Sequence, residues 1–188
     1  MSEPVHFEGP EAWRGWLAAN HKTADHIWLL IAKKNAGVTS VTYAQALDEA
    51  LCYGWIDGLK RSFDAQFFQQ RFSKRGKTSI WSQVNRDKAL GLIARGLMQE
   101  QGLAEVEKAK TNGRWDAAYA GSKSISVPPD LAKALAASPK ANSFFKTLSA
   151  QNRFAILFRI GNVKRAETRT KNIAKFVGML ELGQTIYP

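Results

Sequence analysis

The apolar positions of the chain change period twice. From Pro10, a residue suited to the first turn of a helix, Trp13, Trp16, Leu17 and Asn20 recur at helical spacing and give one apolar, aromatic face. The run "HIWLLIAKK", His26 to Lys34, is short, apolar on alternate and intervening positions alike, and closed by lysines and Gly37. That pattern predicts a strand covered on both faces. "TYAQALDEALCYG" returns to the helical period. Thr42 and Gln45 are spaced as a capping box, in which each side chain satisfies a backbone N–H of the first turn. Ala46, Leu47, Ala50 and Leu51 form the expected buried stripe, and Gly54 stops the helix.

"WIDGLKRSF" and "QFFQQRFS" alternate with period two and predict a hairpin turning at Asp64-Ala65. On the first arm Trp55, Asp57, Leu59, Arg61 and Phe63 are expected to share a face. On the second, Phe68, Gln70 and Phe72 share one face and Phe67, Gln69 and Arg71 the other. After Ser82 the strand signals vanish. Helices are predicted at about 82–96, 100–112, 130–137, 140–148, 151–160 and 165–182, with Asp130 capping the third of them after Pro128 and Pro129. The fold class is α+β: a small mixed β-sheet of about three strands with packed helices, then an all-helical C-terminal lobe. The expected division is 1–98, with a strand-helix-strand-strand core, and 99–188, packed as one compact unit. Trp115 is expected to anchor the two lobes through its large apolar area.

Composition narrows the function classes. The chain has 188 residues, 45% apolar and 23% charged, which is globular composition. One cysteine excludes an internal disulfide framework. His6, His21 and His26 fit no common zinc spacing, so no metal site is expected, and no cofactor motif is present. No apolar run reaches about 18 residues, so no transmembrane segment is expected. The N-terminal "MSEPVHFEGPEAW" has neither a basic nor an apolar signal region, which makes a reduced, cytoplasmic setting the expectation. Lysine and arginine outnumber acids 27 to 16, a net charge of +11. That balance suits an anionic ligand, a polyanion such as nucleic acid, or an acidic protein partner; it also simply keeps a protein soluble.

The candidate chemistry lies between residues 52 and 85. Cys52 sits near a helix C-terminus, where the dipole disfavours a thiolate, so it reads as a small buried hydrophobe. Asp57 shares a strand face with residues that want burial and therefore needs a partner, with Arg71, Lys74, Arg75 and Arg169 as candidates. It is either a structural ion pair or an acid/base. The loop "RFSKRGKTSIWSQVN" is the preferred site. Arg71 and Arg75 lie in a cation cluster, Ser79 offers a hydroxyl near a helix N-terminus, and Trp81 and Asn85, four apart, are placed to stack on and hydrogen-bond a planar group. Trp55 completes the proposed lining. In the last helix Ala166, Ile173, Phe176, Val177 and Leu180 lie opposite a stripe of Lys164, Thr168, Lys171 and Lys175. Arg169 falls in the apolar sector, so it is paired with an acid or aimed into a pocket.

Four strings, "ALDEALCYGWIDG", "RFSKRGKTSIWSQVN", "GLAEVEKAKTNGRWDAAY" and "KRAETRTKNIAKFVGML", together resemble the YdeI/OmpD-associated, or bacteriocin-protection, family of bacterial proteins, from about Trp13 to Leu180. Lys74 departs from the pattern, which usually has proline before the position of Arg75. The resemblance implies a cytosolic bacterial protein tied to stress or envelope defence; it supplies no catalytic residues. Three readings follow: a non-enzymatic binding or adaptor protein with an anion-binding basic loop; a nucleic-acid-binding protein using that loop and the last helix; or an enzyme acting on a small anionic metabolite, with Asp57 as acid/base and Arg71 or Arg75 holding the anion.

Overall fold

The computed structural model describes residues 3–122 and 124–188. It is an α+β protein that divides into two compact units, Met1–Ala118 and Tyr119–Pro188. The first unit contains β1 (Val5–His6), α1 (Pro10–Asn20), β2 (His26–Ala32), α2 (Tyr43–Cys52), β3 (Trp55–Ser62), β4 (Phe67–Lys74), α3 (Gln83–Ala94) and α4 (Glu100–Thr111). The second contains α5 (Pro129–Ala136), α6 (Pro139–Thr147), α7 (Ala150–Gly161) and α8 (Ala166–Glu181).

The sheet has four strands in the order β1-β2-β4-β3, one more than the pattern predicts. The extra strand, β1, pairs in parallel with β2 through only two residues, too few to show any alternation in sequence. β4 runs antiparallel to both β2 and β3 and lies between them. Helix α2 therefore connects two strands that are not neighbours.

The local chemistry accounts for the helix ends. Thr42 and Gln45 form the reciprocal capping box at α2. The hydroxyls of Ser82, Ser138 and Ser149 accept backbone N–H groups at the starts of α3, α6 and α7. Asp130 does not cap α5; the N-cap is Pro128, and Asp130 is committed elsewhere.

One face of the sheet carries the core of the first unit. Ile27, Leu29 and Ile31 of β2 are buried there with Phe72 of β4 and Trp55 of β3. Trp13 and Leu17 of α1, Leu47 and Leu51 of α2, Leu92 of α3 and Val106 of α4 close over them. Trp13 is fully buried, and its indole N–H donates to the Ala46 carbonyl at 3.0 Å. A two-toothed ion pair binds α1 to α2: Arg14 Nε and Nη2 lie 2.7 Å from the two carboxylate oxygens of Glu49. β2 is thus fully buried on one face and partly buried on the other. Trp28, Leu30 and Ala32 are half-buried on the other, because the core helices gather on a single side.

The unit boundary falls later than the expected division at 98/99. Val106 and Ala109 of α4, Trp115 and Ala118 all belong to the first core. Trp115 meets Trp81 edge-on at 4.9 Å, so its packing places it inside the first unit rather than in the expected role of joining two lobes. The second unit packs Leu131, Leu135, Phe145, Ile156, Ile160, Ile173, Phe176 and Leu180 into its own core. Buried Asn152 receives the backbone N–H groups of Ile186 and Tyr187 and donates to the Tyr187 carbonyl, which ties the C-terminal segment down.

Candidate anion-binding site

The end of α1, the exit from α2, the start of β3, the end of β4 and the first turns of α4 meet around one cavity of the first unit, about 320 Å³ in volume. The exit from α2 is possible because Gly54 adopts φ 73°, a left-handed conformation that glycine takes without cost. α4 comes close because Gly102 has no side chain: a Cβ there would lie 2.3 Å from the Cys52 carbonyl oxygen. The Gln99 N–H donates to that same oxygen at 3.0 Å. Two glycines therefore set the wall formed by Gln101, Ala104 and Glu105.

Cations dominate the lining. Lys22 follows α1, and Lys74 ends β4 with its ammonium 2.8 Å from the Lys22 carbonyl and 3.6 Å from the Asp25 carboxylate. Arg75 is only 7% exposed. Its guanidinium carbon sits 3.6 Å above the Trp81 ring, and Nη1 donates to the Ser79 hydroxyl and the Ile80 carbonyl, both at 3.3 Å. The lining has one acid, Glu105, and Lys108 pairs with it at 3.0 Å. Tyr53 and Trp55 give the cavity an aromatic side. The Trp55 N–H donates to the His21 carbonyl at 3.3 Å. The His21 ring lies against Tyr53 and donates from Nδ1 to the Leu17 carbonyl at 2.8 Å, while its buried Nε2 finds no partner among the described residues. Such an array can hold a small anion by charge and an attached apolar or planar group by contact.

Residues 5–105, more than half of the chain, match the family model described as a domain of unknown function (DUF8412). The chain belongs to the DUF8412 family. Residues 124–183 match a second model, described as bacteriocin-protection, YdeI or OmpD-associated. The resemblance drawn from the sequence thus holds for the second unit, where "KRAETRTKNIAKFVGML" lies, whereas "CYGWIDG" and "SIWSQVN" fall in the DUF8412 part. No curated protein and no solved structure matches the chain.

Within the DUF8412 part, the expected site residues divide. Trp55 and Arg75 line the cavity, and Ser79 supports Arg75. Trp81 precedes α3 instead of sharing a helix face with Asn85, because Ser82 caps that helix by accepting the Asn85 N–H. Its ring is occupied by Arg75 on one side and Trp115 at an edge. Asp57 pairs in register with Phe72, so strand alternation turns Arg71 to the opposite face of the sheet. Asp57 and Arg71 do not face one site. The partner of Asp57 is the Tyr43 phenol, which donates to it at 2.8 Å. A bulge between Asp57 and Lys60 also takes Leu59 off the expected face, leaving it 59% exposed. Buried Gln70 satisfies the bulge by donating to the Gly58 and Leu59 carbonyls. Cys52 is buried, and desolvation pushes its thiol up to about 11, which leaves it inert.

In the YdeI/OmpD-associated part, Arg169 is paired. Its Nε and Nη2 lie 2.5 and 3.0 Å from the two carboxylate oxygens of Asp130, and Nη1 donates to the Ile160 carbonyl at 2.7 Å. The hydrogen bond from Arg169 holds the Asp130 carboxyl below its usual range, helped by the Leu131 N–H. A depressed folded value means that this stabilisation is present above the ordinary aspartate range, near pH 4, and is lost as the pH falls through the folded value. Arg169→Met is therefore expected to cost roughly 1 kcal/mol at pH 7, since the pair is half-exposed. The difference from wild type should shrink towards pH 3, measured by urea denaturation. An equal difference at both pH values would remove the pair as its source.

Proposed function

We propose that the chain is a small-anion-binding protein of a bacterial bacteriocin-protection or stress response, acting in the cytoplasm, with its ligand held in the cavity behind the basic loop. The observation that carries this reading is the convergence of Lys22, Lys74 and buried Arg75 on one cavity with an aromatic side. The ligand class is a phosphorylated or carboxylated metabolite with an apolar or planar portion. Its anionic group would meet Lys74 and Arg75, and its body would lie against Tyr53 and Trp55. The YdeI/OmpD-associated match supports the response to which the protein belongs. The separation of Asp57 from Arg71 across the sheet favours binding over the catalytic pairing of those two groups.

A thermal-shift and calorimetric panel of small anions, inorganic phosphate included, tests this. At least one member should bind saturably and lose affinity about tenfold or more in Lys74→Ala and in Lys22→Ala, each removing one charged contact. Arg71→Ala should bind as wild type. Silence across the panel, or undiminished binding by both lysine variants, would refute the site. Lys22 is exposed, so its variant separates lost binding from lost folding.

A further inference from the structure

The face of the sheet opposite the core has a different character from the cavity. On it Trp28 lies opposite Arg71, Leu30 opposite Gln69, and Ala32 opposite Phe67. Arg61, opposite Gln69 on the far strand, reaches across β4 and sets its guanidinium carbon 4.7 Å above the Trp28 ring. His6 of β1 meets the Phe67 ring edge-on at 5.4 Å. None of Trp28, Leu30 or Phe67 belongs to the core or packs against it. The strand positions of this face carry no carboxylate: Asp57 of β3 pairs with Phe72 on the core face, and Glu8, Asp25 and Asp64 lie beyond the strand ends. Neither Arg61 nor Arg71 forms an ion pair among the described residues.

We propose that this half-buried sheet face binds single-stranded nucleic acid, with bases stacking on Trp28 and Phe67 and phosphates held by Arg61 and Arg71. The charge is complementary to a phosphate backbone. The two rings stand four residues apart along the strand direction, about 13 Å, with the Gln69 amide between them, Arg71 level with Trp28, and Arg61 reaching over Trp28 from the outer strand. Alternating π-faces and positive charge suit a chain of alternating bases and phosphates, and base stacking is tolerant of sequence. A duplex hides its base faces, so it can meet only the cations. The guanidinium over Trp28 can move aside or remain as a second stacking plane, since arginine stacks on bases as well as on indoles. This face is separate from the anion cavity, so either proposal can fail alone.

The test is fluorescence anisotropy of the full-length protein with a labelled oligothymidylate of about 12 nucleotides, within the site size of single-strand binders. Saturable binding is expected, weakening steeply between low and physiological salt as counterions are released. Trp28→Ala and Arg61→Glu should each weaken it about tenfold or more, with circular dichroism unchanged. Lys22→Ala should have no effect, and a duplex of equal length should bind at least about tenfold more weakly. Absence of binding at low salt would overturn the proposal. So would wild-type affinity in both sheet variants, duplex binding as tight as single-strand binding, or equally tight binding of polyglutamate.

Discussion

Gly102→Ala is expected to destabilise the first unit by about 3 kcal/mol, the upper end of overpacking costs, and to abolish binding at the proposed anion site. An ideal Cβ at this position would lie 2.3 Å from the Cys52 carbonyl oxygen and 2.8 Å from both the Cys52 carbonyl carbon and the Leu51 carbonyl oxygen. All three are backbone atoms, so no side chain can swing away. Either α4 retreats from α2 or the last turn of α2 unwinds. Retreat would also break the Gln99-to-Cys52 hydrogen bond and move Gln101 and Glu105 away from the cavity. Ordinary helix propensity points the other way, since alanine inside a helix is favoured over glycine by about 1 kcal/mol. Gly91 in α3 and Gly178 in α8 supply the controls, because a Cβ at either meets nothing within 4 Å. Gly91→Ala should be neutral or slightly stabilising. Urea denaturation of the three variants and wild type decides the matter. A Gly102→Ala protein as stable as wild type would mean that α2 and α4 do not pack this closely.

That contrast also shows where sequence reading reaches its limit. The helices after Ser82 were legible because their signals are local: serine caps, prolines in first turns, and stripes such as Ile173, Phe176 and Leu180. The capping box of α2 and the alternation of β4 were legible for the same reason. The two-residue β1 was not, and neither was the bulge after Asp57, whose stabilising partner, Gln70, reaches it from the neighbouring strand. The cavity follows the same rule. Trp55 and Arg75 were found because they lie in or beside an unusual basic loop. His21, Lys22, Tyr53 and Glu105 were missed because three separate segments deliver them. Gly54 announced a helix end in sequence, but nothing distinguishes Gly102 from Gly91 until α4 is seen against α2. Strand alternation was the one available signal that Asp57 and Arg71 diverge, and it required the pairing of Asp57 with Phe72 to use it.

Arg14→Met is expected to cost about 3 kcal/mol, the lower end of the range for removing one partner of a buried ion pair. Glu49 lies on α2 with its side chain 11% exposed, whereas Arg14 is 47% exposed. The asymmetry sets the sign and the size. Without Arg14 the carboxylate is left in a site that water barely reaches, losing two charge-assisted hydrogen bonds of 2.7 Å. Removing the carboxylate leaves a guanidinium that solvent can hydrate, so Glu49→Leu should cost less, about 1 kcal/mol. The double variant Arg14→Met with Glu49→Leu should recover most of the loss, because an apolar pair needs no compensation at the α1–α2 contact. Urea denaturation of the four proteins closes the cycle and isolates the coupling between the two groups. If Arg14→Met falls within about 0.5 kcal/mol of wild type, the pair is a surface contact and contributes nothing to holding α1 on α2. A large coupling would identify it as the polar contact that positions α1, and with it His21 and Lys22 at the mouth of the cavity.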